Sequence, residues 1–212
     1  MICSVKRCRI DWRPAVVSVG VVAFFIVPFA MLRNVCQRKV SDRYQNHAID
    51  FLATFSLVGC TTEFGHMMHY YGKAGFAGVI LLVSLGFWRI GKQGYIPGTS
   101  NPCTYLERYL QGRYPAGRAA TLVVAQIAGG IAAMQLVRCV QDLGLTDYHH
   151  SHARSGCVSD LNVPLAFGFF VEAAGVVLGD ITDDVTLVQT DWLNVVLKTL
   201  VDVGICLYGT FL

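Results

Sequence analysis

Gly94-Tyr95-Ile96-Pro97-Gly98-Thr99-Ser100-Asn101-Pro102-Cys103-Thr104-Tyr105-Leu106-Glu107 is the stretch on which the reading of this chain turns. An irregular, Gly- and Pro-rich run arrives at Asn101-Pro102 and becomes helix-compatible to about Gly112. Asn before Pro suits a helix start: the Asn side chain accepts from a free N–H, and Pro loses nothing at the first helical position. The tripeptide alone reads better as an ordinary turn in a polar loop, since Asn-Pro is a common turn signal. Between two membrane spans, however, a short helix over about 101–112 dips into the bilayer from one side. Irregular backbone is tolerated at that depth only when packed in protein or lining a wet cavity. Its N-terminus would turn the positive end of the helix dipole, and the Asn101 amide, toward whatever occupies that cavity.

The flanks supply the spans. A bilayer-crossing helix needs about 20 mostly apolar residues. Ala74 to Trp88 precedes the stretch and halts at Arg89; Ala119 to Val137 follows it, uncharged and rich in small residues (Ala128, Gly129, Gly130, Ala132, Ala133) that suit close helix approach. Further out lie Ala15 to Leu32, His47 to Tyr71 with Asp50 and Glu63 inside it, Leu161 to Gly179 around Glu172, and Trp192 to Leu212. Lys198 and Asp202 fall four apart on the last of these and pair on one face. Pro28-Phe29-Ala30 in the first run also fits a weak signal-cleavage pattern, although the apolar run is long for one.

The runs are long and do not alternate, so they are helices and not barrel strands. Of 212 residues 54% are hydrophobic and only 15% charged, against about 25% charged in a soluble domain. That excludes a disordered regulator and a coiled coil, and a net charge of +3 is too small for a nucleic-acid binder. The fold class is an all-α membrane protein, one helical bundle over 1–212. Arg33, Arg38, Lys39 and Arg43 before the second span, with Arg108, Arg113 and Arg118 before the fourth, outnumber Lys73, Arg138 and Arg154 in the alternate loops. The positive-inside rule puts the first group on the cytosolic side.

No catalytic set is visible. There is no phosphate loop and no nucleophile–base pair, so no enzyme is expected. None of the eight Cys forms a Cys-x-x-Cys pair, and most read as small buried residues. His149-x-x-His152, with His66 and His69, is the nearest approach to a metal set, but no acid or Cys pair adjoins it in that loop, so neither metal nor cofactor is expected.

Asp50-Phe51-Leu52-Ala53-Thr54-Phe55 resembles the Glu-Phe-Leu-Ala-Thr signature of the first core helix of aquaporins, with Asp where the family has Glu. Gly98-Thr99-Ser100-Asn101-Pro102-Cys103 resembles the first Asn-Pro-Ala box in its Asn-Pro-Cys form, typical of the unorthodox superaquaporin, or aquaporin-11-like, branch. Cys60-Thr61-Thr62-Glu63 and Leu143-Gly144-Leu145-Thr146-Asp147-Tyr148-His149 agree with that branch. The resemblance covers about residues 15–212. It implies a multi-pass channel for water and small neutral solutes such as glycerol or hydrogen peroxide, in the endoplasmic reticulum, another intracellular membrane or the plasma membrane, usually tetrameric.

On that scheme the core helices lie near 47–71, 74–93, 117–141, 162–180 and 190–212, behind an extra helix near 15–33. Asn101 offers its amide to water, Pro102 fixes the box, Cys103 packs below it, and the carbonyls of Gly98, Thr99 and Ser100 line the tube. Asp50, Glu63 and Glu172 are structural buried acids. The second box, the filter Arg and the sixth core helix of the family would lie past Leu212, so the chain reads as truncated. It is expected to conduct poorly, or to act as a non-conducting partner of full-length aquaporins.

Overall fold

The computed structural model describes residues 12–92, 98–154 and 164–184, with single positions between 193 and 204. It consists of α1 (Arg13–Lys39), α2 (Asp42–Lys92), α3 (Cys103–Leu110), α4 (Ala116–Asp142), α5 (Asp147–Arg154) and α6 (Leu165–Asp184), with no strand among the described residues. At 1.5 Å per residue the 27 residues of α1 and of α4 each extend about 40 Å, beyond the roughly 30 Å of a hydrocarbon core. Both are long and apolar enough to cross a membrane. Both are also apolar outward, through Val16, Val19, Phe24, Val27 and Met31 on α1 and Val124, Ile127, Ile131 and Met134 on α4. A helix hydrophobic on all sides belongs in lipid or a large core.

Several boundaries differ from those expected. α1 does not stop before Arg33. That side chain is 3% exposed and folds back along its own helix, Nε donating to the Phe29 carbonyl at 3.4 Å. The helix continues to Arg38 and Lys39, whose charges oppose the negative end of its dipole. α2 starts at Asp42, five residues early, with an acid in the favoured first turn. The basic residues assigned to a loop therefore occupy helix ends, and only Val40 and Ser41 separate α1 from α2. α2 is interrupted at Gly72 (φ 68°, ψ −170°), between the two spans read from the sequence. α5 was not foreseen. The segment over 190–212 falls largely outside the described residues, as do Asp202 and the side chain of Glu172 on α6.

α2 is the central element, packed against α1 on one side and α4 on the other. The α1–α2–α4 core contains Val21, Val22, Phe25, Ile26, Phe55, Cys60, Ala133 and Val137. α4 approaches α2 most closely at Gly129, where a Cβ would lie 2.3 Å from the Phe51 carbonyl oxygen. Without small residues at that contact the two backbones separate. Of the cysteines expected to be buried, Cys60 is, Cys36 is half-buried, and Cys103 and Cys139 are exposed. On a lipid-facing surface exposure does not demand polarity.

Candidate functional site

Residues 98–102 lead into α3 and lie against α2. Gly98 adopts φ 113°, a conformation L side chains rarely take, and a Cβ there would meet Ile49 Cγ2 at 2.7 Å. Thr99 is the hub of the loop. Its N–H donates to Asp50 Oδ1 (3.0 Å), its carbonyl accepts from Gln126 Nε2 of α4 (2.9 Å), and its hydroxyl oxygen accepts from the Asn101 N–H (3.2 Å). Irregular backbone away from water needs this satisfaction. Asp50, 2% exposed, also accepts from the Tyr105 hydroxyl on α3. Burial, reinforced by the carboxylate beside it, raises the Tyr105 phenol above its ordinary pKa, so it remains a donor at neutral pH.

The cap forms as the residue order demands. Pro102 takes φ −64°, and Asn101 Oδ1 accepts the Cys103 N–H at 3.0 Å. With its oxygen committed, the Asn101 amide NH₂ has no hydrogen-bond partner among the described residues, and Asn101 is exposed. Regular helix runs only over Cys103–Leu110, short of 101–112 at both ends, because Gly112 (φ 70°) turns the chain toward α4. Tyr105 stacks on Tyr114 (6.0 Å), and the guanidiniums of Arg108 and Arg118 lie over the Tyr114 ring at 5.6 and 4.7 Å. A polar cavity of about 270 Å³ opens beside the loop, lined among others by Asn46, Asp50, Thr99, Tyr105 and Arg108.

The Thr99 carbonyl accepts from Gln126 with one of its two lone pairs, Gly98 is exposed and Ser100 is half-buried. Cys103 is exposed instead of packed below the box; its contribution is the backbone N–H. Gln126 was missed, since an uncharged amide inside a small-residue helix carries no local signal. His47, whose Nε2 lies 3.0 Å from Thr121 Oγ1, is a second polar link between α2 and α4.

Glu63, 4% exposed, is not near this loop. It lies about 20 Å farther along α2 from Asp50, at 1.5 Å per residue. Around it gather Ser18 of α1, His66 of α2 and His149 of α5. His150, next in sequence, is exposed, and the side chains of His69 and His152 lie outside the described residues. The carboxylate that meets His149 is thus supplied by another helix, through Glu63 of α2.

Over 167 residues the chain is 25% identical to human Aquaporin-11, a match covering 78% of this chain and 60% of that protein. The chain therefore spans 60% of the length of the curated relative it matches. No protein-family model matches the chain. No solved structure matches it.

Proposed function

We propose that this chain, a distant relative of the aquaporins, is an integral membrane channel protein of the aquaporin type and not an enzyme. It passes water and small neutral solutes down their gradients, in an intracellular membrane such as the endoplasmic reticulum and as a tetramer. The observation that carries this reading is the braced loop: Asp50, Tyr105 and Gln126 satisfy Thr99 and α3 while the Asn101 NH₂ has no partner among the described residues. A narrow apolar passage with a few fixed donors and acceptors lets water through in file, and an amide at the positive end of a helix repels cations. Asn101 supplies the donor, Pro102 and the Cys103 N–H fix its orientation, and Asp50 fixes the loop. By the family resemblance alone, Glu172 is given the same role in the second half.

The Asn101-Pro102 pair supplies one half of such a barrier. Stopped-flow light scattering of proteoliposomes tests the reading. The expected result is osmotic shrinkage slightly faster than that of empty vesicles, with the excess removed by Asn101→Asp. Shrinkage equal to empty vesicles, together with co-purification of a full-length aquaporin from the same membrane, overturns the channel reading in favour of a non-conducting partner. Fast shrinkage that Asn101→Asp leaves unchanged overturns the role given to Asn101.

A further inference from the structure

The geometry points to a divalent transition-metal site, of the kind that takes Zn²⁺, built from Glu63, His66 and His149. It lies where α1 begins, the first half of α2 ends and α5 follows α4, on the opposite side of the bundle from Arg38, Lys39 and Arg43. All three residues are buried, and one ligand atom from each lies within 4.8 Å of the others. Two imidazoles and a carboxylate are a recurrent zinc ligand set, with bonds of about 2.0–2.2 Å. Glu63 Oε1 is 2.7 Å from His66 Nδ1, and Oε2 is 3.2 Å from His149 Nε2. A tetrahedral ion needs ligand atoms about 3.3 Å apart at those bond lengths, so small side-chain adjustments admit it. Ser18 Oγ lies beside two of these atoms, 2.6 Å from Glu63 Oε1 and 2.7 Å from His66 Nδ1.

Proton counting gives the stronger argument. The far nitrogens of both rings, His66 Nε2 and His149 Nδ1, converge on one atom, Thr146 Oγ1, at 2.9 and 3.0 Å. The His149 backbone N–H reaches the same oxygen at 3.3 Å. Suppose both imidazoles are neutral and both donate to the Glu63 carboxylate. Each far nitrogen is then a lone pair, and a hydroxyl has one proton to give. One buried ring nitrogen is left facing an oxygen without a hydrogen bond, which costs about 1–3 kcal/mol. A cation held by Glu63, His66 Nδ1 and His149 Nε2 relieves the conflict. The near nitrogens bind through their lone pairs, the ring protons move to the far nitrogens, and these two donors fill both lone pairs of Thr146 Oγ1, with the longer His149 N–H contact given up. Metal-bound imidazoles are ordinarily fixed by such an outer partner.

The site is independent of transport and is tested without it. The full chain, purified in detergent through a tag free of histidine, is stripped with a chelator, incubated with Zn²⁺, passed over a metal-scavenging resin and assayed by elemental analysis. The expected result is about one zinc per chain, with affinity at least about tenfold weaker in His149→Ala and Glu63→Gln and unchanged in His150→Ala. X-ray absorption of the zinc-loaded unaltered chain, which needs no variant to fold, is expected to show two imidazoles and oxygen ligands. No retained zinc in the unaltered chain overturns the proposal and leaves an extra proton on one ring as the way the cluster is satisfied. So does zinc whose loss follows His150→Ala and not His149→Ala, or an absorption spectrum dominated by sulfur.

Discussion

Asp50 and Glu63 are carboxylates on the same helix, both nearly closed to solvent, but the groups that approach them differ in kind. Asp50 receives a backbone N–H and a phenol, donors whose protons do not leave near neutral pH. Glu63 receives two imidazoles and a hydroxyl, whose protons can be rearranged or displaced. One acid therefore acts as a fixed strut for the 98–102 loop, and the other anchors a cluster with more than one satisfied state. In a membrane both are costly enough to need a reason. The nature of the surrounding donors, rather than burial, separates the reasons.

The sharpest way to break this contrast is to remove both carboxylates in turn. Asp50→Ala leaves the Thr99 N–H and the Tyr105 hydroxyl without their acceptor, and two such orphans cost about 2–6 kcal/mol. The expected readout is a large fall in melting temperature in detergent and a broadened size-exclusion profile. Glu63→Gln keeps an acceptor and a volume match, so its fall without added metal is smaller. Equal losses from the two variants would erase the distinction.

A second substitution pair sharpens it at the backbone. The strut works only if α4 lies close enough for Gln126 to meet Thr99. Gly129→Val places side-chain atoms against the Phe51 backbone and is expected to cost about 1–3 kcal/mol. At neighbouring Gly130 a Cβ meets only the Thr54 and Val58 methyls at 3.8 Å, so Gly130→Val is expected to be close to neutral in the same melt. Reversal of that order would mean that the α2–α4 contact is not where the glycines place it.

What could be read from the sequence follows the range of the interactions. The Asn101-Pro102 turn, the interruption at Gly72 and the α4 helix are local features, governed by a few neighbouring residues. The partners of Thr99 and Glu63 are not local: Gln126 is 27 residues from Thr99, and His149 is 86 from Glu63. No period in the sequence marks an amide or an imidazole that another helix will need. The early start of α2 and the late end of α1 were hidden by a different effect. Charged residues there look like loop, although long cationic side chains are at ease on helix ends where their stems lie along the chain.

The smallest expected effect bears on the missed residue. Gln126→Leu deletes one hydrogen bond to the Thr99 carbonyl, worth about 0.5–1.5 kcal/mol. It also removes Gln126 Oε1, which is buried with no partner among the described residues, so the net loss is expected at the lower end. The carbonyl it frees is next to Asn101, so the second measurement is flux, which should rise or hold rather than fall if Gln126 serves only to hold the loop. Coupling distinguishes a shared strut from two separate contacts. Asp50 and Gln126 meet through the same Thr99 peptide unit, so the double variant Asp50→Asn, Gln126→Leu should lose less stability than its singles combined, by about 0.5 kcal/mol or more. Strict additivity in that cycle would show that the two sides of Thr99 are braced independently, and that the loop's rigidity comes from the Tyr105 side of Asp50 instead.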